Sequence, residues 1–165
     1  ASPAAAIDAF EAEAYCRYMG KRLPTDYEWT KAARGGLVLG GHSNPAPRRL
    51  YPWGSEFRPS CVNISGDTDG HEWVAPVDSL VCGASPYGVL NLAGNIAEWI
   101  ARTGQTDSDS TLRVVRGGAV DSPPELEQST TIFRNTREAR HFDFSAGVRC
   151  VADIDAEKGS IWTAH

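Results

Sequence analysis

The most informative segment of this chain reads Asn91-Leu92-Ala93-Gly94-Asn95-Ile96-Ala97-Glu98-Trp99. It closes a longer stretch, residues 59–101, that contains no Lys or Arg and is rich in Asn, Gly and acidic residues. The acidic residues of this stretch are Asp67, Asp69, Glu72, Asp78 and Glu98. Oxygen-rich chain without cationic side chains is typical of a site for a hard cation such as calcium. The composition also allows a solvated acidic loop, and the segment itself allows a helix N-terminus with Asn95 as its cap and Glu98 in its first turn.

The composition predicts one folded domain and argues against two classes of protein. Of the 165 residues, 41% are hydrophobic, which is enough for a core. The formal net charge of −5 argues against a nucleic-acid-binding protein, which needs a basic surface. No run of about 18 apolar residues occurs, so we expect no direct insertion into a membrane. Because the chain begins at Ala1 without a Met, we interpret it as a piece of a longer protein, with a domain over residues 1–153 and a tail over 154–165.

Two helices are predicted near the start of the chain. The first spans about Asp8–Met19, with an apolar face on which residues recur four positions apart. The residues of that face are Phe10, Ala14 and Tyr18. The second helix begins at a capping box formed by Thr25 and Glu28, runs to about Arg34 and ends at Gly35.

The rest of the chain predicts short strands and much irregular structure. Residues 39–85 are dominated by Gly, Pro, Asn, Ser and Asp. Such a long irregular stretch needs either a function or bound ions to hold it. Residues 112–116 and 147–152 are predicted as strands because β-branched and apolar residues are enriched there.

The four cysteines show no zinc-type spacing and no Cys-x-x-Cys pair. Their even number and wide separation allow three disulfide pairings, or four buried thiols in a reducing compartment. The cysteines are Cys16, Cys61, Cys82 and Cys150.

A series of short motifs, taken in order, resembles one known family. The motifs are Gly20-Lys21-Arg22-Leu23-Pro24-Thr25, Ala32-Ala33-Arg34-Gly35-Gly36, Tyr51-Pro52-Trp53-Gly54, the run from Tyr87 to Trp99, Arg113-Val114-Val115-Arg116-Gly117-Gly118 and Gly147-Val148-Arg149-Cys150. Together they resemble the formylglycine-generating enzyme (sulfatase-modifying factor) family over about residues 8–153, without the family's usual N-terminal segment. The resemblance implies an α+β, loop-rich, C-type-lectin-like fold with two helices and small twisted antiparallel sheets.

The resemblance also implies calcium, as one or two ions. In the family an Asn-x-x-Gly-Asn-x-x-Glu segment folds around one ion. Carried onto this chain, Asn91 would give a side-chain oxygen, Gly94 and Ile96 would give carbonyl oxygens, and Glu98 would give a carboxylate. Such a mixture of oxygen ligands suits calcium.

A second calcium site of the family uses an Asn-hydrophobic pair followed by an Asp-Gly-aromatic element. Here Asn63 and Ile64 match the pair, and Asp69 and His71 match the later element, with His in the aromatic place. Asn63 and Asp69 would give side-chain oxygens, and Ile64 and His71 would give carbonyls. The alternative is an ordinary loop built on an Asx turn.

The resemblance further implies two disulfides. The family joins the Cys of the first helix to the Cys of the last strand, which correspond to Cys16 and Cys150. Cys61 and Cys82 are then left to pair with each other. Two disulfides would place the domain in an oxidising, extracytoplasmic compartment, periplasmic or at the cell surface.

The catalytic chemistry of the family is not expected here. Catalytic relatives bind copper through two cysteines just after the Gly-Gly of the Arg-Val-x-Arg-Gly-Gly motif. In this chain no cysteine lies between Cys82 and Cys150, and Asp121 stands about where the first reactive cysteine would be. We therefore expect no copper and no enzyme activity. The alternative is an oxidoreductase domain of the sulfoxide-synthase or formylglycine-generating type; the sulfoxide-synthase branch takes its iron ligands from a separate domain.

The remaining interpretation is a binding domain. Residues 119–146 would cover the cleft that holds the active site in catalytic relatives, and mixed charge with aromatics suits recognition. The candidate ligand-binding residues are Asp121, Glu125, Arg137, Arg140 and His141. Phe142 and Phe144 alternate as on a strand, so they are either part of this surface or part of the core.

The prediction is therefore a non-catalytic, calcium-stabilised sensor or recognition domain of a larger bacterial protein. Non-catalytic members of the family are appended to Ser/Thr kinases or serve as diversified display proteins. The partner would be a protein, a peptide or a small molecule, and not a nucleic acid.

Overall fold

The computed structural model describes residues 1–66, 69–102, 111–123, 130–142 and 144–154. Within them the regular elements are α1 (Ala9–Tyr18), α2 (Asp26–Arg34), β1 (Val38–Leu39), β2 (His42–Ser43), β3 (Ala97–Trp99), β4 (Leu112–Arg116), β5 (Arg134–Glu138) and β6 (Ala146–Gly147). Most of the described chain lies outside these elements. The loop-rich α+β class predicted from the sequence is confirmed.

Both helices begin at capping boxes. Asp8 caps α1, and its Oδ1 accepts a hydrogen bond from the Glu11 N–H at 2.8 Å while Glu11 accepts one from the Asp8 N–H at 3.0 Å. Thr25 and Glu28 do the same for α2, as predicted. Gly35 ends α2 with φ 87°, a left-handed conformation that glycine adopts without a steric penalty.

The apolar face predicted for α1 is wrong. The predicted face, Phe10, Ala14 and Tyr18, is exposed, whereas Ala9, Ala12 and Cys16 are buried. The small side chains face the core because they let the helix approach Trp99 and Val115 of the sheet closely. Phe10 instead lies under the guanidinium groups of Arg113 and Arg140, at 5.6 and 4.9 Å from its ring centre.

The main sheet has four strands in the order β5-β4-β3-β6. The β5–β4 and β4–β3 pairs are antiparallel, as predicted, but β3 and β6 are parallel. The predicted strand over residues 147–152 is shorter than expected, since β6 ends at Gly147 and only Val151 pairs again, with Arg22. Beyond β6 the chain is held instead by the side chains of Arg149 and Cys150, which reach Glu98 and Cys16.

Three hydrophobic clusters lie beneath these elements. One joins α1 to the sheet, and a second places Trp29 of α2 against Leu92 and Val114. The third packs Val62, Ile64 and Ala93 under the irregular stretch. The irregular residues therefore share a core with the Asn91–Trp99 segment. No helix in the described residues has the length and apolar character that a membrane crossing requires.

All four cysteines are in disulfides, with the pairing that the resemblance implied. Cys16–Cys150 joins residues 134 positions apart, with a Cα–Cα distance of 5.5 Å. Cys61–Cys82 joins residues 21 positions apart, with a Cα–Cα distance of 5.2 Å. Two disulfides are typical of proteins that fold in an oxidising environment.

The two bridges should contribute unequally to stability. In the chain-entropy model the longer loop is worth about 4–5 kcal/mol and the shorter one about 3 kcal/mol. We expect the double variant Cys16→Ala/Cys150→Ala to lose more free energy of unfolding in urea than Cys61→Ala/Cys82→Ala. Equal losses, or a larger loss for the shorter loop, would contradict the entropic ranking. Alkylation of the native chain without reductant should add no mass.

Candidate functional site

Three asparagine side chains hold one irregular segment, residues 73–77. Asn63 Nδ2 donates to the Trp73 carbonyl at 2.8 Å, and Asn91 Nδ2 donates to the Val77 carbonyl at 3.0 Å. Between them Asn95 makes two bonds to Ala75: its Oδ1 accepts from the N–H at 2.9 Å and its Nδ2 donates to the carbonyl at 3.0 Å. We call Asn63, Asn91 and Asn95 the asparagine clamp. The clamp binds every second residue of the segment, so it fixes both the position and the direction of residues 73–77.

The backbone around the clamp accepts only certain residues. Asn91 and Asn95 have φ of 56° and 62°, a left-handed conformation that Asn tolerates better than most residues. Gly94 has φ 66°, and a Cβ at that position would lie 2.2 Å from the Asn63 carbonyl oxygen. The close approach lets the Asn95 N–H donate to that same oxygen at 2.7 Å. The Asn63 and Asn91–Asn95 loops are therefore joined backbone to backbone.

Three side-chain oxygens around the clamp are buried without a hydrogen-bond partner among the described residues. They are Asn63 Oδ1, Asp69 Oδ2 and Asn91 Oδ1. A buried acceptor left without a donor costs about 1–3 kcal/mol, so each of these atoms calls for a water or a cation. All three belong to the sets predicted to bind calcium. Asp69 Oδ1 also accepts from the His71 N–H at 3.3 Å, which is the Asx turn of the alternative interpretation, yet its second oxygen stays unpartnered.

Glu98 is engaged differently. The residue lies on β3, which excludes the helix N-terminus considered above. Its Oε2 accepts from Trp29 Nε1 at 2.8 Å, and its carboxylate accepts from Arg149 Nε and Nη2 at 2.6–3.0 Å. Burial opposes the charge of Arg149, but the attraction of Glu98 and these hydrogen bonds outweigh it and raise the pKa of Arg149.

The two predicted calcium sets therefore differ in what they offer an ion. The Asn63 and Asp69 set provides two unpartnered oxygens, one of them on a carboxylate, which are of the ligand type that calcium takes. The Asn91 and Glu98 set provides the Asn91 oxygen, while the Glu98 carboxylate is already neutralised by Arg149. Gly94 and Ile96 lie on the buried loop between Asn91 and β3. Ile64 is buried and follows Asn63 directly, and His71 is half-buried and lies two residues after Asp69.

A cleft of about 320 Å³ lies beside the clamp. We call it the Asp121 cleft; its lining residues are Ala5, Trp73, Val74, Val120, Asp121, Phe144 and Ser145. Trp73 and Phe144 are 72% and 87% exposed, so two large aromatic surfaces border the opening. Among the described lining residues, Asp121 is the one with a charged side chain. Such a cleft suits a ligand with an apolar body and a hydrogen-bond donor.

The candidate ligand-binding residues separate into groups. Asp121 lines the cleft, and Arg137 lies behind it, with its Nη1 donating to Ser145 Oγ at 3.1 Å. Burial lowers the pKa of Arg137, against the attraction of Asp121. Arg140, which covers Phe10, and His141 do not line the cleft. Glu125 lies outside the described residues.

The core alternative for two phenylalanines is wrong. Phe142 and Phe144 are 64% and 87% exposed; β5 ends at Glu138, and neither of these two described residues belongs to a strand. Trp73 was not assigned to a site from the sequence, although a tryptophan between two predicted ligand loops was a usable signal. For Asn95 the sequence indicates only a helix cap, and no local pattern identifies Arg149 as the partner of Glu98.

This chain has no free thiol for the cysteine chemistry of the catalytic relatives. Asp121 follows Gly117-Gly118 by three residues and faces the cleft. All four cysteines are consumed by disulfides. Among the described residues no three His, Cys, Asp or Glu side chains gather as a metal-binding cluster.

Comparison with known proteins agrees with this architecture. Residues 1–154 match the family described as the sulfatase-modifying factor enzyme 1-like domain. The chain belongs to this family. Among solved structures, PvdO from Pseudomonas aeruginosa superposes with a TM-score of 0.68 at 22% identity, covering 89% of this chain and 60% of PvdO. That likeness concerns the fold.

Relatives of this sulfatase-modifying factor-like domain carry different names. The bovine inactive C-alpha-formylglycine-generating enzyme 2 is 34% identical over 92% of this chain and 50% of its own length. Hercynine oxygenase from Mycolicibacterium smegmatis is 32% identical over 92% of this chain and 38% of its own length. The chain thus spans half or less of the length of these relatives.

Asn95 at the centre of the clamp and Asn91 at its end should differ in their contribution to stability. Asn95→Gly leaves two buried backbone groups of Ala75 unsatisfied and should cost about 2–4 kcal/mol. Asn91→Gly removes one bond and also an unpartnered oxygen, so we expect a loss below about 1 kcal/mol. Both positions have positive φ, which glycine accepts, so backbone strain is matched. Urea unfolding in EGTA measures the difference, and equal losses would show that the clamp is not centred on Asn95.

Proposed function

We propose that this chain is a non-catalytic, calcium-stabilised binding domain of a larger bacterial protein, and that its ligand occupies the Asp121 cleft. One observation carries the proposal. A carboxylate borders the cleft about where catalytic relatives have a reactive cysteine, while every cysteine of the chain is in a disulfide. A carboxylate cannot perform thiolate chemistry, but it can hold a ligand through hydrogen bonds.

The walls of the cleft support recognition. Trp73 and Phe144 offer large apolar faces with few rotatable bonds, which lowers the entropy lost on binding. Asp121 would orient a hydrogen-bond donor of the ligand. The positive charge of Arg137, which donates to Ser145, would partly offset the negative potential of the Asp121 carboxylate. The ligand would be a small molecule or a side chain of a protein or peptide partner.

The parent protein remains part of the proposal. The chain covers half or less of the relatives named above, so further segments are expected to contribute to the whole protein's activity. A Ser/Thr kinase and a diversified display protein are the two kinds of parent that we propose. The two disulfides support a location outside the cytoplasm, periplasmic or at the cell surface.

Calcium is proposed at one or both oxygen sets, and copper is not. The unpartnered oxygens of Asn63, Asp69 and Asn91 support this proposal. An ion bound there would compensate buried acceptors on loops that otherwise meet through few regular hydrogen bonds. The role would be structural, because it would hold the segment that carries Trp73 in place beside the cleft.

Calcium should raise the melting temperature of the full chain. Binding at 100 times its Kd would stabilise by about 2.7 kcal/mol, or about 5–10 °C for a domain of this size. We expect thermal unfolding in CaCl₂ to exceed that in EGTA by this amount. Asp69→Asn should remove much of the difference, whereas Asp78→Asn, which changes an exposed carboxylate near the chain's amino terminus, should not. The same melting temperature with and without calcium would overturn this part of the proposal.

A second function is an oxidoreductase domain of the sulfoxide-synthase or formylglycine-generating type. The observation that favours it is the 32% identity to hercynine oxygenase. In that case further iron ligands would come from outside this chain.

Oxygen consumption tests whether this chain alone acts as an oxidoreductase. We expect no oxygen uptake above the protein-free rate when the chain is incubated with a cysteine-containing peptide and Cu(I), or with a low-molecular-weight thiol and Fe(II). Asp121→Ala serves as the matched variant. Uptake that scales with the concentration of the native chain and falls in this variant would establish an enzyme and overturn the non-catalytic proposal.

A further inference from the structure

A second groove lies on the surface of α2 and shares no lining residue with the Asp121 cleft. Its volume is about 550 Å³. The residues that matter for its chemistry are Tyr27, Lys31, Arg34, Leu37, Val38 and Tyr87. We call it the α2 groove.

The walls of the α2 groove include several exposed apolar side chains. Tyr27, Leu37 and Val38 are 87%, 77% and 58% exposed, and they lie together around one concavity. Gly36 forms part of the floor, where an added Cβ would lie 3.6 Å from both Lys31 Cε and Tyr87 Oη. Tyr87 is fixed by the hydrogen bond that its hydroxyl donates to the Gly35 carbonyl at 3.0 Å. Contiguous apolar side chains with a polar rim are typical of a binding surface.

The charge at this groove is opposite in sign to that of the whole chain. Arg116 is buried under α2 and bonds Asp26 at 2.8 Å, and Arg134 contacts the same carboxylate at 3.1 Å. Burial lowers the pKa of Arg116, Asp26 opposes that effect, and Arg134 and Arg34 add to it. Asp26 is thus the one described carboxylate that pairs with Arg116 and Arg134. The positive charges of Arg34 and Lys31 are not balanced by it.

The two remaining cations, Lys31 and Arg34, both line the α2 groove, where a ligand could reach them. Arg34 uses its Nε to donate to Thr131 Oγ1 at 2.9 Å, which fixes the guanidinium at the groove. Lys31 has no ion-pair partner within the described chain, and its stem lies over Gly36. In a chain of net charge −5, this local surplus of positive charge next to apolar walls favours an anion with an apolar body.

We propose that the α2 groove binds a small-molecule carboxylate that carries an aromatic or bulky aliphatic group. The carboxylate would meet the Lys31 ammonium and the free edge of the Arg34 guanidinium. The body would lie against Tyr27, Leu37 and Val38. The site is independent of the ligand proposed for the Asp121 cleft.

Titration with 2-naphthoate tests the inference on the full chain, by NMR chemical shifts at low salt. We expect saturable one-to-one binding that weakens as salt screens the charges, and no binding of 2-naphthylmethylammonium. Lys31→Met and Tyr27→Ala should each weaken binding by about fivefold, the upper range for a partly exposed ion pair or contact. Lys21→Met and Tyr18→Ala are matched controls, since Tyr18 and Tyr27 are equally exposed at 87%, and should leave the affinity unchanged.

Each alternative result decides against the proposal. Binding that is not saturable, that is equally strong for the ammonium probe, or that responds equally to the control variants would overturn it. Asp121→Asn should have no effect on naphthoate binding. Tighter binding in that variant, which removes a negative charge that repels the probe, would place naphthoate in the Asp121 cleft; it would overturn the α2 site while leaving the function proposed for the cleft intact.

Discussion

The two hydrogen bonds between the Asn95 side chain and the Ala75 backbone are the interaction on which the irregular half of this molecule depends. An amide side chain offers one donor and one acceptor in the geometry of a peptide group, so a buried Asn can replace a strand neighbour. Here it does so for residues 73–77, which pair with none of the strands described above. Asn63 and Asn91 bind the carbonyls two residues before and two residues after Ala75, those of Trp73 and Val77. The buried backbone groups of these loops therefore have hydrogen-bond partners although no sheet supplies them. Without such partners the loops could not be buried.

Glu98 performs the corresponding task in the regular half. Its carboxylate joins Trp29 of α2 to Arg149 beyond β6, and β3 itself pairs with β4 on one side and β6 on the other. Removal of one partner would leave a buried charge without compensation, so the three groups are interdependent. The Cys16–Cys150 bridge closes the same region covalently. Because Asn95 and Glu98 are three residues apart, one short segment connects both halves.

Local rules made the helices and β4 predictable from sequence. The Thr25 and Glu28 capping box and the left-handed Gly35 are specified by neighbours in the chain, and the resemblance supplied the fold and the disulfide pairing. Burial was harder to predict, because the choice of Ala12 and Cys16 over Phe10 as the inner face of α1 depends on the sheet that α1 meets. The asparagine clamp was also inaccessible, since its partners are backbone groups about 10–20 residues away with no side-chain signature. The Asp121 position was predictable only by alignment with a motif; its aromatic neighbour Trp73 required the fold.

The side chains that stabilise the fold are largely different from those that line the Asp121 cleft and the α2 groove. The side-chain hydrogen bonds of the clamp and of the Glu98 network, and the long disulfide, all join described residues other than Asp121 and Lys31. Two lining residues of the cleft are bound to the clamp through their backbone: the Trp73 carbonyl accepts from Asn63 while its ring stands exposed at the cleft, and the Val120 N–H donates to the Asn95 carbonyl at 2.8 Å. Backbone bonding leaves a side chain free to change, since the carbonyl is the same for every residue type. The lining of the Asp121 cleft can therefore vary in sequence while the loops beneath it keep their positions, which is the property that a recognition domain needs and an active site built on fixed thiols does not.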